Sequence, residues 1–212
     1  IRFNGRIARF LSKTYVRNSQ KAVETLQDYA ISLKGHVILC GFGRSGQYLA
    51  RFLKEENISF IAIDMDMNRV SDAANAGENV MYGDASRAVV LKAAGIEKAK
   101  AVVITYADDR ASSKVLNVIR DEYVDLPVIV RTSDDSSISE LQTEGASEVV
   151  PEVLEGSLML ASHALMVLGV PLTRIIKRIR SFRQERYKMF QGYFKGASDI
   201  DDDFSSNQQL EL

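Results

Sequence analysis

The chain predicts an α/β fold: a doubly wound, parallel six-stranded sheet with helices on both faces and a helical extension at the C-terminal end. Three observations predict it. Short apolar runs with little alternation recur between residues 36 and 150, as expected of strands buried on both faces. Amphipathic helical patterns lie between them, joined by short connections. The first apolar run ends in a glycine turn, Gly41-Phe42-Gly43-Arg44-Ser45-Gly46, which leads straight into a helix.

The first strand covers 36–41 and the first helix 45–56, where Tyr48, Leu49, Phe52 and Leu53 mark a helical face. In this strand–turn–helix setting the spacing Gly-x-Gly-x-x-Gly is a dinucleotide-type, Rossmann-like fingerprint. Gly41 permits the tight turn, Gly43 lets backbone approach a phosphate, and Gly46 lets the helix lie close to the strand. The phosphate then meets the free N–H groups at the helix start. The second strand, 58–64, is rich in isoleucine and ends in Asp64. An acid there accepts hydrogen bonds from ribose hydroxyls and repels a 2′-phosphate, which favours NAD(H) or a plain adenine nucleotide over NADP(H).

The alternation continues with a helix at 67–76, a strand at 79–82, a helix at 86–94, a strand at 101–105, a helix at 109–123, a strand at 127–131, a helix at 134–144 and a strand at 147–150. Ligands of open α/β sheets sit outside the C-terminal strand ends. Three loops reach that edge: Asp64-Met65-Asp66, Gly83-Asp84-Ala85-Ser86 and Thr105-Tyr106-Ala107-Asp108-Asp109. Asp84 or Ser86 is also placed to cap the helix that follows.

The flanks differ in composition. Residues 1–34 carry no strand pattern; Ile7, Phe10, Leu11 and Tyr15 recur at helical spacing, and seven Lys/Arg face two acids. This stretch is either a solvated helix packing one stripe on the domain or a connector just below a membrane, where cations are in excess. Beyond Pro151, residues 152–168 form one apolar helix, which Gly169 ends and Pro171 follows. So apolar a helix outside the sheet unit needs a partner surface, and 152–169 is expected to form a dimer or to cross between domains. A basic amphipathic helix follows over 172–193, and the acidic tail 197–212 is expected to be disordered.

Composition narrows the function. A formal net charge of −1 offers no global steering toward nucleic acid, so no nucleic-acid partner is expected. The single cysteine, Cys40, cannot form an internal disulfide and reads as apolar filler. The apolar stretch Leu158–Leu172 is too short to span a bilayer, and no signal peptide is visible. The chain starts at Ile1, which suggests a piece of something longer. Gln47-Tyr48 stands where a P-loop carries Lys and Ser/Thr, His36 and His163 sit in apolar surroundings, and no Cys/His cluster suggests a metal. A dehydrogenase would need a substrate domain, and the residues after Pro151 are too few to build one. The expectation is a domain that holds a nucleotide without catalysis.

The segments HVILCGFGRSGQYLARFL, FIAIDMD, VMYGDAS, GIEKAKAVVITYADD and LPVIVRTSD resemble the RCK or KTN domain, the Trk-type NAD-binding unit that gates potassium transporters. The resemblance covers about 35–150, and the GDAS turn is its most specific motif. The stretch VVPEVLEGSLMLASHALMVLGVP resembles the version fused to bacterial cation:proton antiporters of the glutathione-gated potassium-efflux type.

The resemblance implies a domain order: a linker from a membrane domain at 1–34, the nucleotide-binding domain at 35–151, a helical dimerisation or regulatory extension at 152–196, and the tail at 197–212. It implies a homodimer at the cytoplasmic face of the inner membrane, attached to the transport domain of the same full-length chain, with NAD(H) or AMP/ATP as ligand. Carried over by residue, Gly41, Gly43, Arg44, Ser45 and Gly46 would hold phosphate, with Phe42 in the same turn. Asp64 would hold ribose; Met65, Asp66, Asp84 and Ala85 would lie around the adenosine; Thr105 and Tyr106 would close the near side. Arg131 falls where glutathione-gated members place a basic residue near their effector. Arg186 stands where those members carry an asparagine that contacts glutathione, and here the resemblance breaks. Two other readings remain open at this point: a fragment of an NAD-linked oxidoreductase, and a free-standing regulatory subunit of a potassium uptake system.

Overall fold

A computed structural model of the chain describes residues 33–188. The expected linker, up to residue 32, and the expected acidic tail lie outside the described residues. Six strands form one parallel sheet: β1 (Val37–Cys40), β2 (Phe60–Asp64), β3 (Val80–Tyr82), β4 (Ala101–Ile104), β5 (Val128–Thr132) and β6 (Glu148–Pro151). The helices are α1 (Arg44–Glu55), α2 (Met67–Asn75), α3 (Ala88–Ala93), α4 (Asp109–Arg120), α5 (Ile138–Thr143), α6 (Glu152–Val167) and α7 (Leu172–Lys188). A 3₁₀ turn, Ile96–Lys98, follows α3 after Gly95 takes a left-handed φ of 74°.

The strand order is β3-β2-β1-β4-β5-β6, the doubly wound arrangement expected from the alternation. Val37 pairs with Phe60 on one side and with Ala101 on the other, so the order reverses about β1. The crevice between the C-terminal ends of β1 and β4 is therefore the place where this topology leaves room for a ligand.

Burial explains the strand pattern. Ile38, Leu39, Ile61 and Ile104 are all fully buried, because helices cover both faces of the sheet. One core cluster gathers Val37, Leu39, Phe42, Ala50, Phe60, Ala62, Ala73 and Val80. His36 enters the core as well: its Nε2 meets the Ala94 carbonyl at 2.8 Å while its Nδ1 has no partner. Burial lowers the His36 pKa, the hydrogen bond to Ala94 opposes this, and nearby Lys98 adds to it.

Two helices start later than expected. The helix after GDAS begins at Ala88, with Arg87 as its N-cap residue and no side-chain cap. Asp84 Oδ1 accepts the Ser86 N–H at 3.0 Å and the Ser86 hydroxyl at 2.7 Å, so these residues close a local turn and cap no helix. Similarly, α5 starts at Ile138 and not at 134, because Asp134 accepts the Ser136 N–H at 2.8 Å and holds a turn there. The first unit of the chain runs to Glu155 and the second begins at Gly156. Within the second, Gly169 takes a φ of 79° between α6 and α7, the helix break read from Gly169 and Pro171.

Candidate functional site

The glycine turn after β1 is built from close backbone approaches. Gly41 has a φ of 99°, and its N–H donates to the Ile63 carbonyl at 2.8 Å. Its carbonyl accepts the Thr105 hydroxyl at 2.8 Å, which ties the turn to the end of β4. A side chain at Gly41 would meet Thr105 Oγ1 at 2.8 Å and the Tyr106 ring at 3.0 Å. Gly43 has open space around it, so the backbone there is accessible to a ligand. It is the N-cap residue of α1 and makes no side-chain cap hydrogen bond to the N–H groups at that helix start.

Asp64, at the end of β2, is 5% exposed and turned toward the glycine turn. Its Oδ2 accepts the Phe42 N–H at 2.6 Å and its Oδ1 accepts the Asp66 N–H at 2.8 Å. The Arg69 guanidinium, from the first turn of α2, reaches both oxygens at 2.8 Å. Arg69 also approaches Asp66 Oδ2 at 3.2 Å. The hydrogen bond with Asp64 is the main cause that raises the Arg69 pKa, so the guanidinium stays charged.

Two cavities meet at Gly41 and Tyr106. The first, about 440 Å³, is lined by Ile63, Asp64, Met65, the Gly83–Ser86 turn, Asp108, Ala111 and Lys114 in addition to those two residues. The second, about 700 Å³, is lined by Gly43, Arg44, Ser45, Gln47, Tyr48, Arg69, Thr105, Ala107, Arg131 and Glu152 as well. The first offers apolar surface from Ile63, Met65 and Ala85 beside carboxylates. The second brings three arginines to the open N-terminus of α1, the chemistry of a phosphate chamber.

Arg131 Nη1 donates to the Thr105 carbonyl at 2.9 Å, and its Nη2 pairs with Glu152, the first residue of α6. Burial raises the Tyr106 pKa, so the wall between the cavities is a neutral phenol. Burial also pushes the Cys40 thiol up to about 12, which makes it inert packing.

Of the residues singled out from the sequence, Gly41, Gly43, Arg44, Ser45, Asp64, Met65, Asp84, Ala85, Thr105, Tyr106 and Arg131 all line one cavity or the other. Three do not. The Phe42 side chain is 4% exposed within the core cluster, and its N–H is taken by Asp64. Gly46 packs under the turn. Asp66 caps α2, accepting the Asn68 and Arg69 N–H groups at 3.0 and 3.2 Å. Sequence reasoning missed Arg69, Ala111, Lys114, Gln47, Tyr48 and Glu152 as cavity residues. Helical spacing held part of the signal: Ala111 and Lys114 stand three apart on α4, and Arg69 stands three after its partner Asp66.

Residues 37–152 match the family model described as the TrkA-N domain. The chain is 37% identical over 213 residues to the putative K(+) efflux antiporter KefB of Alkalimonas amylolytica, covering 100% of this chain and 32% of that protein. It is 33% identical over 191 residues to the glutathione-regulated potassium-efflux system protein of Haemophilus influenzae, covering 87% and 31% respectively. The chain thus spans about a third of the length of either relative.

Among solved structures, the Kef CTD of Shewanella denitrificans in AMP-bound form aligns with a TM-score of 0.63 at 24% identity, over 73% of this chain and 94% of that one. The GsuK channel bound to NAD aligns with a TM-score of 0.53 at 21% identity, over 57% and 22%. At these identities the two structures establish a shared fold. Among the described residues, no helix is long and apolar enough to cross a membrane.

Proposed function

The chain belongs to the TrkA-N domain family, and on that premise we propose that it is a nucleotide-binding regulatory domain for a monovalent cation (potassium):proton antiporter. The transport domain would belong to the same full-length polypeptide, with this domain at the cytoplasmic face of the inner membrane. Both of the relatives described above carry potassium efflux in their names and are about three times as long as this chain. The ligand is an adenine nucleotide, AMP or ATP, or NAD(H). The adenosine occupies the first cavity, its ribose on Asp64, and the phosphates occupy the second, between Gly43 and the three arginines.

One observation carries this reading. A buried carboxylate, Asp64, is held against the glycine turn by the Phe42 N–H and lines a cavity of about 440 Å³. Regulation requires that the ligand favour one arrangement of the protein over another, since equal affinity for both would shift nothing. Arg131 bridges the phosphate chamber to Glu152 at the start of α6, which gives such a preference a route out of the site. We assign the domain no reaction of its own; steady consumption of NADH with a small substrate would overturn that.

Titration calorimetry with AMP, ATP and NADH tests the site. Asp64→Ala should weaken each by about tenfold or more, equivalent to about 1.4 kcal/mol. Unchanged affinity in a variant that still folds would remove the ribose role and the assignment with it.

A further inference from the structure

Asp64 is fully engaged before any ligand arrives. A carboxylate presents about four lone-pair positions. Here two are taken by the backbone N–H groups of Phe42 and Asp66 and two by the Arg69 guanidinium, at 2.6 to 2.8 Å. The backbone partners belong to the turn and to the start of α2, so neither can leave without dismantling the fold. Arg69 can leave: its side chain is 39% exposed and on a helix surface. Any ribose hydroxyl that binds Asp64 must therefore displace Arg69.

The second fact is where Arg69 lies. Asp64 lines the first cavity, whereas Arg69 lines the second, beside Arg44 and the Gly43 turn. The guanidinium stands on the border between the sugar and the phosphate chambers. When it leaves Asp64, its charge is already in the chamber where a phosphate would sit. A guanidinium that gives up a carboxylate and gains a phosphate keeps its charge-assisted hydrogen bonds. One that gives up the carboxylate to an uncharged nucleoside keeps only the pairing with Asp66.

Resting on the nucleotide reading above, we propose that Arg69 is the specificity-determining residue of this site. It shuts the sugar position on Asp64 and yields it only to a ligand that also brings a phosphate. Ribose and phosphate are then bound in one exchange: the sugar takes the carboxylate and the phosphate takes the guanidinium. The site rejects adenosine because nothing replaces the lost ion pair.

The test is calorimetry on the 212-residue chain with adenosine and AMP, comparing the unchanged protein with Arg69→Gln and Arg69→Lys. Glutamine removes the ion pair, so adenosine should bind about fivefold tighter, near the upper end for an ion pair whose arginine is partly exposed. The ratio of AMP to adenosine affinity should narrow by at least the same factor. Lysine keeps the charge but has no second nitrogen to hold Asp66 while the first meets Asp64, and should fall between. A role confined to folding would weaken both ligands together and leave their ratio unmoved.

If adenosine binds Arg69→Gln and Arg69→Lys no tighter than it binds the unchanged protein, the exchange is wrong. The nucleotide reading survives that result if Asp64→Ala still weakens AMP. If neither adenosine nor AMP binds any of the proteins, both ideas fall together. Should Arg69→Gln fail to fold, Arg69→Lys alone decides by the same adenosine comparison.

Discussion

Gly46 lies against the carbonyl of Gly41 so closely that a β-carbon on Gly46 would stand 2.4 Å from that oxygen. No side chain reaches that distance from backbone, so the first helix can sit on the turn only while residue 46 is glycine. Gly46→Ala should destabilise the domain by about 2–4 kcal/mol, in the range of severe core overpacking. Gly43 is the contrast, with an ordinary extended backbone and open space around it. Gly43→Ala should leave urea stability within about 0.5 kcal/mol and still impair AMP binding, because the added methyl group sits where a phosphate approaches. Equal loss of stability in both variants would contradict the division of labour between the two glycines.

The pairing of Arg131 with Glu152 sets a second expectation. Glu152 is more than half exposed, so the pair should add less than about 1 kcal/mol to stability. Its effect should appear in ligand choice. Glu152→Gln releases Arg131 into the phosphate chamber and should tighten ATP more than AMP, measured by calorimetry. Tightening of both by the same factor would mean that Arg131 does not reach the distal phosphates.

Among the described residues, none of those in the apolar helix α6 is buried. Leu160 is 72% exposed and Leu168, just beyond the helix, 77%. We expect a second copy to cover this surface. Light scattering should give about twice the chain mass of 23.6 kDa for the unchanged protein. The Leu160→Asp variant should shift to the monomer mass, since a carboxylate in a dry interface lacks a partner. A dimer that persists in Leu160→Asp would move the interface elsewhere.

His36 makes stability depend on pH. Its Nε2–H serves the Ala94 carbonyl, and a proton on Nδ1 would be buried without an acceptor. The folded-state pKa therefore lies below the ordinary 6.5. With the pKa lowered, the folded state binds fewer protons, and the neutral ring favours folding fully above pH 6.5. That contribution declines as pH falls below 6.5, by at most about 1.4 kcal/mol per pH unit for one proton. Urea melts across this range should show the slope, and His36→Leu should flatten it despite lowering overall stability. An unchanged slope in the variant would assign the acid sensitivity to carboxylates.

Much of the fold was legible in residue order. The apolar runs at 36–41 and 58–64 contain β1 and β2 because strands covered on both faces have no reason to alternate. The turn from Gly41 to Gly46 and the acid at Asp64 also converge as read, since strand, turn and helix are neighbours in the chain. Element starts governed by a single side chain were harder. Asp84 and Asp134 each spend an oxygen on a turn, which delays the helices after them.

By itself, then, the sequence determined the alternation of strands and helices, the glycine turn, and the position of the acid that faces it. Those depend on local spacing and on which residues can be buried. Only the tertiary structure decided that Asp64 is already claimed by Arg69, that Phe42 turns into the core and that Lys114 and Glu152 reach the cavities. A side chain's partner depends on its direction in space and on what else competes for the same lone pairs, and neither quantity is written in a one-dimensional order of residues.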